Sequence, residues 1–433
     1  MHRFATTLAC AMVGCVTTAY ATTAGAQSLQ GSLAQDAVSN FSRDRNISVR
    51  QRPRPEYDMG GHRSGAFMVS PTVTGAAEYN DNIYGTAVRK TDDVIFRVTP
   101  RVDAQSTWSR HLLAAFATAT VNKYAEQSDE DTTDWSLGAQ ARLDMVRGSF
   151  FQAGADTAKL TEPRTSSNTA LASAAPVRFQ QTAAFLGVVH ELNRLRLSAR
   201  GDVRRFNYED GRTAGGVVID QDERDRATKS LNGRADYAVS PATAVFVQVT
   251  GNWRDYNNVP ARALDRTSNG YELLAGANFE LSNVMRGELG VGYLSQSFDD
   301  ARFSKIDGFG MRGQLEWFPT QLTTLTATAA RSVEDAGIAG ASGYLSTNLG
   351  LQVDHELLRN IILTGQVSHG NDAYQGVDRT DKRLTLGASV SYMMNRRLAW
   401  TLGYSLFDQS SSGRAGGVDF KVNRLMLTLV GKL

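Results

Sequence analysis

From Ala66 to Leu433 the chain alternates apolar and polar residues with a period of two. Leu384, Leu386, Ala388, Val390 and Tyr392 share one parity; Thr385, Gly387, Ser389 and Ser391 share the other. The next segment repeats this, with Leu398, Trp400, Leu402, Tyr404 and Leu406 against Ala399, Thr401, Gly403 and Ser405. Leu195, Leu197, Ala199 and Val203 oppose Arg196, Ser198, Arg200, Asp202 and Arg204. Trp135, Leu137, Ala139, Ala141 and Leu143 oppose Ser136, Gly138, Gln140, Arg142 and Asp144. Successive side chains of a strand point to opposite faces, so the pattern predicts strands with one apolar and one polar face. They run about 10 to 16 residues, against the roughly 5 or 6 usual in soluble sheets. Helical spacing is not sustained after residue 65.

The connections carry a second pattern. "MVRGSF" (145–150), "ELNRLRL" (191–197), "VMRGEL" (284–289), "ELLRNII" (356–362) and "MMNRRLAW" (393–400) each read as a two-residue Arg/Asn/Gly turn between apolar flanks. Long polar segments alternate with them: 125–134, 209–225, 257–269, 332–342 and 410–418. Short turns at one end and long loops at the other describe an all-β, transmembrane, antiparallel up-and-down β-barrel of about 18 strands, its apolar face towards lipid. An even count puts both ends of the wall on the short-turn, periplasmic side. Closure satisfies every backbone group where no water reaches. A soluble sandwich or propeller explains neither the strand length nor the one-sided loops. Trp135, Tyr208, Tyr237, Trp253, Tyr271, Trp317, Tyr344, Tyr392 and Trp400 lie near strand ends, as interfacial girdles require.

Composition agrees. Only 42% of the residues are hydrophobic, enough for a thin outward band but low for a large buried core. The net charge of +2 gives no sign of nucleic-acid binding. Residues 1–26 read as a signal peptide: His2 and Arg3, an apolar stretch from Leu8 to Ala21, then Ala24-Gly25-Ala26. Lipoprotein processing at Cys15 is the weaker reading, because Met12 stands where Leu is usual. Cys10 and Cys15 both fall in this leader, so neither disulfides nor thiolate metal sites are expected in the mature chain. Residues 27–65, with "SVRQRPRPEYDMGGHR", read as a flexible periplasmic segment, and 66–433 as the barrel.

The most suggestive chemistry is Asp354-His355-Glu356, followed by Arg359-Asn360. The spacing is HExxR and lacks the second histidine of a zinc site. At a strand end it reads as a solvated rim before a turn. The acidic stretch 128–134 lacks the glycine and final glutamate of an EF-hand loop and reads as surface rather than a Ca²⁺ site. Gly290 and Gly292 lie on a strand face with no helix following, so a phosphate loop is excluded. His62, His111, His190, His355 and His369 sit in no nucleophile motif, and no enzyme, cofactor or metal is expected. Arg97, Arg101, Arg142, Arg196, Arg200, Arg204, Arg234 and Arg254 take the polar parity. They are the pore-lining candidates, either as a cationic wall for acidic solutes or as half of a stabilising Arg–Asp network.

The chain resembles the putative beta-barrel porin 2 family over roughly residues 48–433. The resemblance rests on "RPRPEYD" (52–58), "EYNDNIY" (78–84), "RDY" (254–256), "WFPTQLTTLTATAARS" (317–332), "HELLRN" (355–360) and "YMMNRR" (392–397). It implies a Gram-negative outer-membrane barrel assisting exopolysaccharide export. The expected partners are outer-membrane lipid, the polysaccharide and a periplasmic polysaccharide-export protein. A general diffusion porin and a structural or adhesion barrel are the alternatives.

Overall fold

The computed structural model describes residues 47–58, 60–146, 148–166, 173–257, 265–281, 284–338 and 340–433. The signal-peptide reading and the first part of the N-terminal segment, to residue 46, lie outside the described residues. The short β1 (His62–Ser64) pairs with β2 (Phe67–Asn80), the first wall strand. Then follow β3 (Asp93–Ser106), β4 (Leu112–Tyr124), β5 (Thr132–Asp144), β6 (Phe150–Thr161), β7 (Arg178–Leu192) and β8 (Leu195–Tyr208). A small hairpin, β9 (Gly211–Arg212) and β10 (Val218–Ile219), stands in the next loop. The wall resumes with β11 (Arg226–Ser240), β12 (Thr243–Tyr256), β13 (Ser268–Leu281), β14 (Met285–Phe298), β15 (Ile306–Thr320) and β16 (Thr323–Asp335). It ends with β17 (Gly343–Leu358), β18 (Ile361–Gln375), β19 (Thr380–Met393), β20 (Leu398–Ser412) and β21 (Phe420–Lys432).

Each wall strand pairs antiparallel with the next, β8 joining β11 past the small hairpin. β21 returns to β2, from Thr72↔Lys432 to Asn80↔Arg424. The result is a closed 18-stranded antiparallel barrel. Its outer face exposes Phe96, Val98 and Val102 on β3, Val245, Val247 and Val249 on β12, and Leu425, Leu427 and Leu429 on β21. An apolar band of this extent needs lipid around it, so the barrel crosses a membrane with its strands.

The turns depart from the two-residue expectation in three places: residues 145–149 join β5 to β6 and residues 394–397 join β19 to β20, both longer than two, and the third is at 286–287. Asn193, at positive φ, makes the β7–β8 turn with Arg194, and Arg359-Asn360 link β17 to β18. Arg286-Gly287 do not form a turn. They lie inside β14, paired with Glu280 and Phe279, because Arg286 points inward and bonds Glu316. Two girdle aromatics also differ. Tyr208 and Tyr344 are buried, stacking inside on Phe179 and Tyr374, because their parity is the lumen's. Trp135, Tyr237, Trp253, Tyr271 and Trp317 are exposed outside.

Candidate functional site in the barrel lumen

Strand parity carries all eight candidate arginines to the face opposite the exposed aliphatic residues, and most are already engaged. Arg101, Arg142, Arg200 and Arg234 each pair with the Asp two residues on, at 2.5, 2.9, 2.8 and 2.7 Å. Residues i and i+2 share a strand face, so an Arg-x-Asp triplet closes its own ion pair along the wall. Arg97 lies 3.6 Å from Glu78, and Arg196 lies 3.7 Å from Glu191. Arg254 reaches Asp335 at 2.6 Å. Arg204 alone of the eight forms no ion pair with a described residue, and its buried Nε meets no acceptor.

Sequence reasoning missed the rings beneath these charges. Arg101, Arg200 and Arg234 lie over Phe116, Phe185 and Phe246, at 5.0, 3.8 and 3.7 Å from the ring centroids. Each ring sits cross-strand from a glycine: Gly138, Gly154 and Gly276. A Cβ at Gly276 would fall 2.7 Å from Phe246 Cζ, so the glycine makes room for a ring lying flat on the wall. The readable signal was an inward Phe opposite an inward Gly on the next strand.

Near the long-loop end the lumen is crossed. The β15–β16 ladder stops at Arg312↔Ala330, while β16 stays paired with β17 up to Asp335↔Gly343. Above that point Val333 and Leu345 pack against Leu294, Phe298 and Ile306, so the tip of the β16–β17 hairpin leans over the inner face of β14 and β15. Asp335 on this tip receives Arg226 of β11 at 2.8 Å and Arg254 of β12 at 2.6 Å. Arg266 donates to the Ile338 and Ala341 carbonyls of the hairpin loop. Arg226 and Arg266 were not among the sequence candidates, since Arg226 only opens β11 and Arg266 precedes β13.

The short-turn end is filled by the chain's own N-terminal segment. Arg50 pairs with Asp354 at 2.8 Å, and Arg52 and Arg54 pair with Glu356 at 2.8 and 2.9 Å. The Val49 amide donates to Thr324 Oγ1, and Arg54 donates to the Val49 and Arg359 carbonyls. Arg286 reaches back to Gln51 Oε1. Asp354 and Glu356 are therefore buried at 3% and 6% exposure, not solvated rim residues, because the segment covers them. His355, of opposite parity, bonds Thr323 Oγ1 across the ladder.

The acidic stretch 128–134 is likewise occupied by protein cations. Glu130 is buried against Arg164, and Asp131 accepts from Lys123 and the Tyr124 amide. The Lys123 ammonium holds the Asp131 carboxyl below its ordinary range. One trio with oxygens close together, Asp210, Asp220 and Asp222, is exposed in the β8–β11 loop, where Asp210 and Asp220 already accept backbone amides. His190 bonds Ser149 Oγ at 2.9 Å at the short-turn end, with no orienting carboxylate on its ring among the described residues.

Comparison with known proteins follows the wall. The family described as "Putative beta-barrel porin 2" matches residues 54–433. No curated protein matches the chain. Among solved structures, the outer membrane protein OpdK of Pseudomonas aeruginosa is similar at 12% identity and a TM-score of 0.44, over 84% of this chain and 99% of that one. OccK2 (OpdF) of the same organism gives 11% and 0.47, over 85% and 98%. A mutant of its ferric enterobactin receptor, PfeA, gives 6% and 0.47, over 87% and 81%.

Proposed function

Because the chain belongs to the beta-barrel porin 2 family and is an outer-membrane channel, we propose that it passes small hydrophilic solutes by diffusion, with a bias towards anions. The observation that carries this reading is the shared hold of Arg226 and Arg254 on Asp335, which draws a hairpin tip over the lumen. An 18-stranded wall encloses room for an aqueous channel, and this tip reduces it. The lumen rings give the same support. Phe116, Phe185 and Phe246 are covered by guanidinium groups, so they are not a bare aromatic track for sugar rings. The anion bias rests on Arg204, which faces Asp156 and Asp202 but closes no ion pair with either.

Export of an exopolysaccharide with a periplasmic partner is the second reading, favoured by the family resemblance and the strand number. Three measurements test the diffusion reading against export. Proteoliposomes holding the barrel should admit monosaccharides and small carboxylates but exclude long oligosaccharides. Arg204→Gln should lower the anion-to-cation permeability ratio in planar bilayers. A gene deletion should slow small-solute uptake and leave surface polymer intact; lost polymer with normal uptake overturns the diffusion reading.

A further inference from the structure

We propose that residues 48–58 are an internal strap that sets the width of the periplasmic mouth and leaves its seat as a unit. The proposal rests on the channel reading above. Three arginines at alternate positions, 50, 52 and 54, meet two inward carboxylates on β17, Asp354 and Glu356. The rest of the seat comes from other strands: Thr324 of β16, Thr364 of β18 and Arg286 of β14. Beyond Arg54 the chain continues to β1, which pairs with β2. Going round the wall from β17, β2 is reached only after β18, β19, β20 and β21. The segment therefore joins two separated parts of the rim: Glu56 bonds Arg359 of the β17–β18 turn, and His62 pairs with Val69 of β2.

The chemistry of the seat suits release. Most of the seat's contacts are polar or ionic, and Arg50 and Arg52 keep 29% and 25% of their side-chain surface exposed. Ion pairs open to water are screened by salt and contribute little each. The strap holds through several weak contacts made together, with Arg54 as the one buried anchor. Removing the anchors should free the mouth without touching the wall's ladder, because every strap contact is to side chains or turn carbonyls. Val49 is the apolar foot of the strap, at 1% exposure beside Thr324.

The test uses the full-length barrel in planar bilayers. Substituting Arg50, Arg52 and Arg54 together by Gln should raise single-channel conductance about twofold, as a narrowed mouth widens. Asp354→Asn with Glu356→Gln should do the same from the other side. A disulfide between Val49→Cys and Thr324→Cys should hold conductance at or below the wild-type level and abolish any rise with salt beyond that of the bulk solution, with reductant restoring it. Heat-shifted mobility on gels checks that each variant is folded, and the disulfide pair keeps the test alive if the arginine variant is not. Equal conductance across the folded set, with no effect of the disulfide, overturns the strap and leaves the channel. Silence of every folded variant, wild type included, overturns the channel reading itself.

Discussion

At position 234 one guanidinium meets an aromatic face at 3.7 Å, Asp236 at 2.7 Å and Glu288 at 2.8 Å. Its side chain and that of Asp236 are almost wholly buried. Removing one partner of such a group strands charge on the others, at about 3–5 kcal/mol. Arg234→Gln is therefore expected to lower the urea midpoint of the folded barrel clearly, read by the heat-shifted gel band. Arg97→Gln should be much milder, because Glu78 keeps Arg424 at 3.6 Å. Most of this residue-scale wiring was present in the sequence. Arg101/Asp103, Arg142/Asp144, Arg200/Asp202 and Arg234/Asp236 share spacing and parity, and a strand leaves such pairs on one face. The bonds from Arg226 and Arg254 to Asp335 were not legible, since nothing local to either strand says which distant strand its side chain will face.

Strands were the most readable elements, because a lipid-facing surface enforces alternation over their whole length. On β20, Leu402 is 43% exposed and Thr401 5%, and the two differ only in parity. Leu402→Arg places a charge in hydrocarbon at about 2–4 kcal/mol and should cut the yield of assembled barrel. Thr401→Arg lies on the lumen face, meets no hydrocarbon and should assemble better than Leu402→Arg, at the cost of the Ser391 bond. Similar losses for both would contradict the register. Where elements begin and end was less legible. "VMRGEL" has the composition of a turn, yet Arg286 belongs to the wall because Glu316 and Gln51 stand ready to receive it. Pro100 is the converse: it lies inside β3, and the β3–β4 ladder skips Thr99 and Pro100 and resumes in the same register. A missing N–H interrupts the ladder without ending the strand.

For the whole molecule, the alternation of short and long connections sets which end faces out. Cysteines at Asp131 and Gly216 should react with an impermeant thiol reagent on intact cells, and one at Asn360 should not. The chain's own two cysteines, Cys10 and Cys15, are replaced by Ser in this experiment, which leaves the background clean. Labelling of Asn360 alone would invert the barrel. The strap was the least legible part of the whole. Residues 48–58 show no apolar periodicity, since they follow no ladder and are held by side chains reaching from several strands. Asp354 and Glu356 drew attention at once as chemistry-bearing residues, but their role depends on arginines some three hundred positions earlier.

The seam between β2 and β21 governs how the molecule is made. Thr72 pairs with Lys432 and Asn80 with Arg424, so the contact that closes the wall joins segments nearly a whole chain apart. Every other wall pair joins strands adjacent in sequence, or β8 to β11 past one loop. Local hairpins can form early, whereas the seam must wait for β21, and non-local pairing is slow. Until then β2 and the growing edge are open strands with apolar outer faces, liable to pair with the wrong chain. The time spent as an open sheet, rather than the strength of the finished wall, is what a cell producing this barrel has to manage.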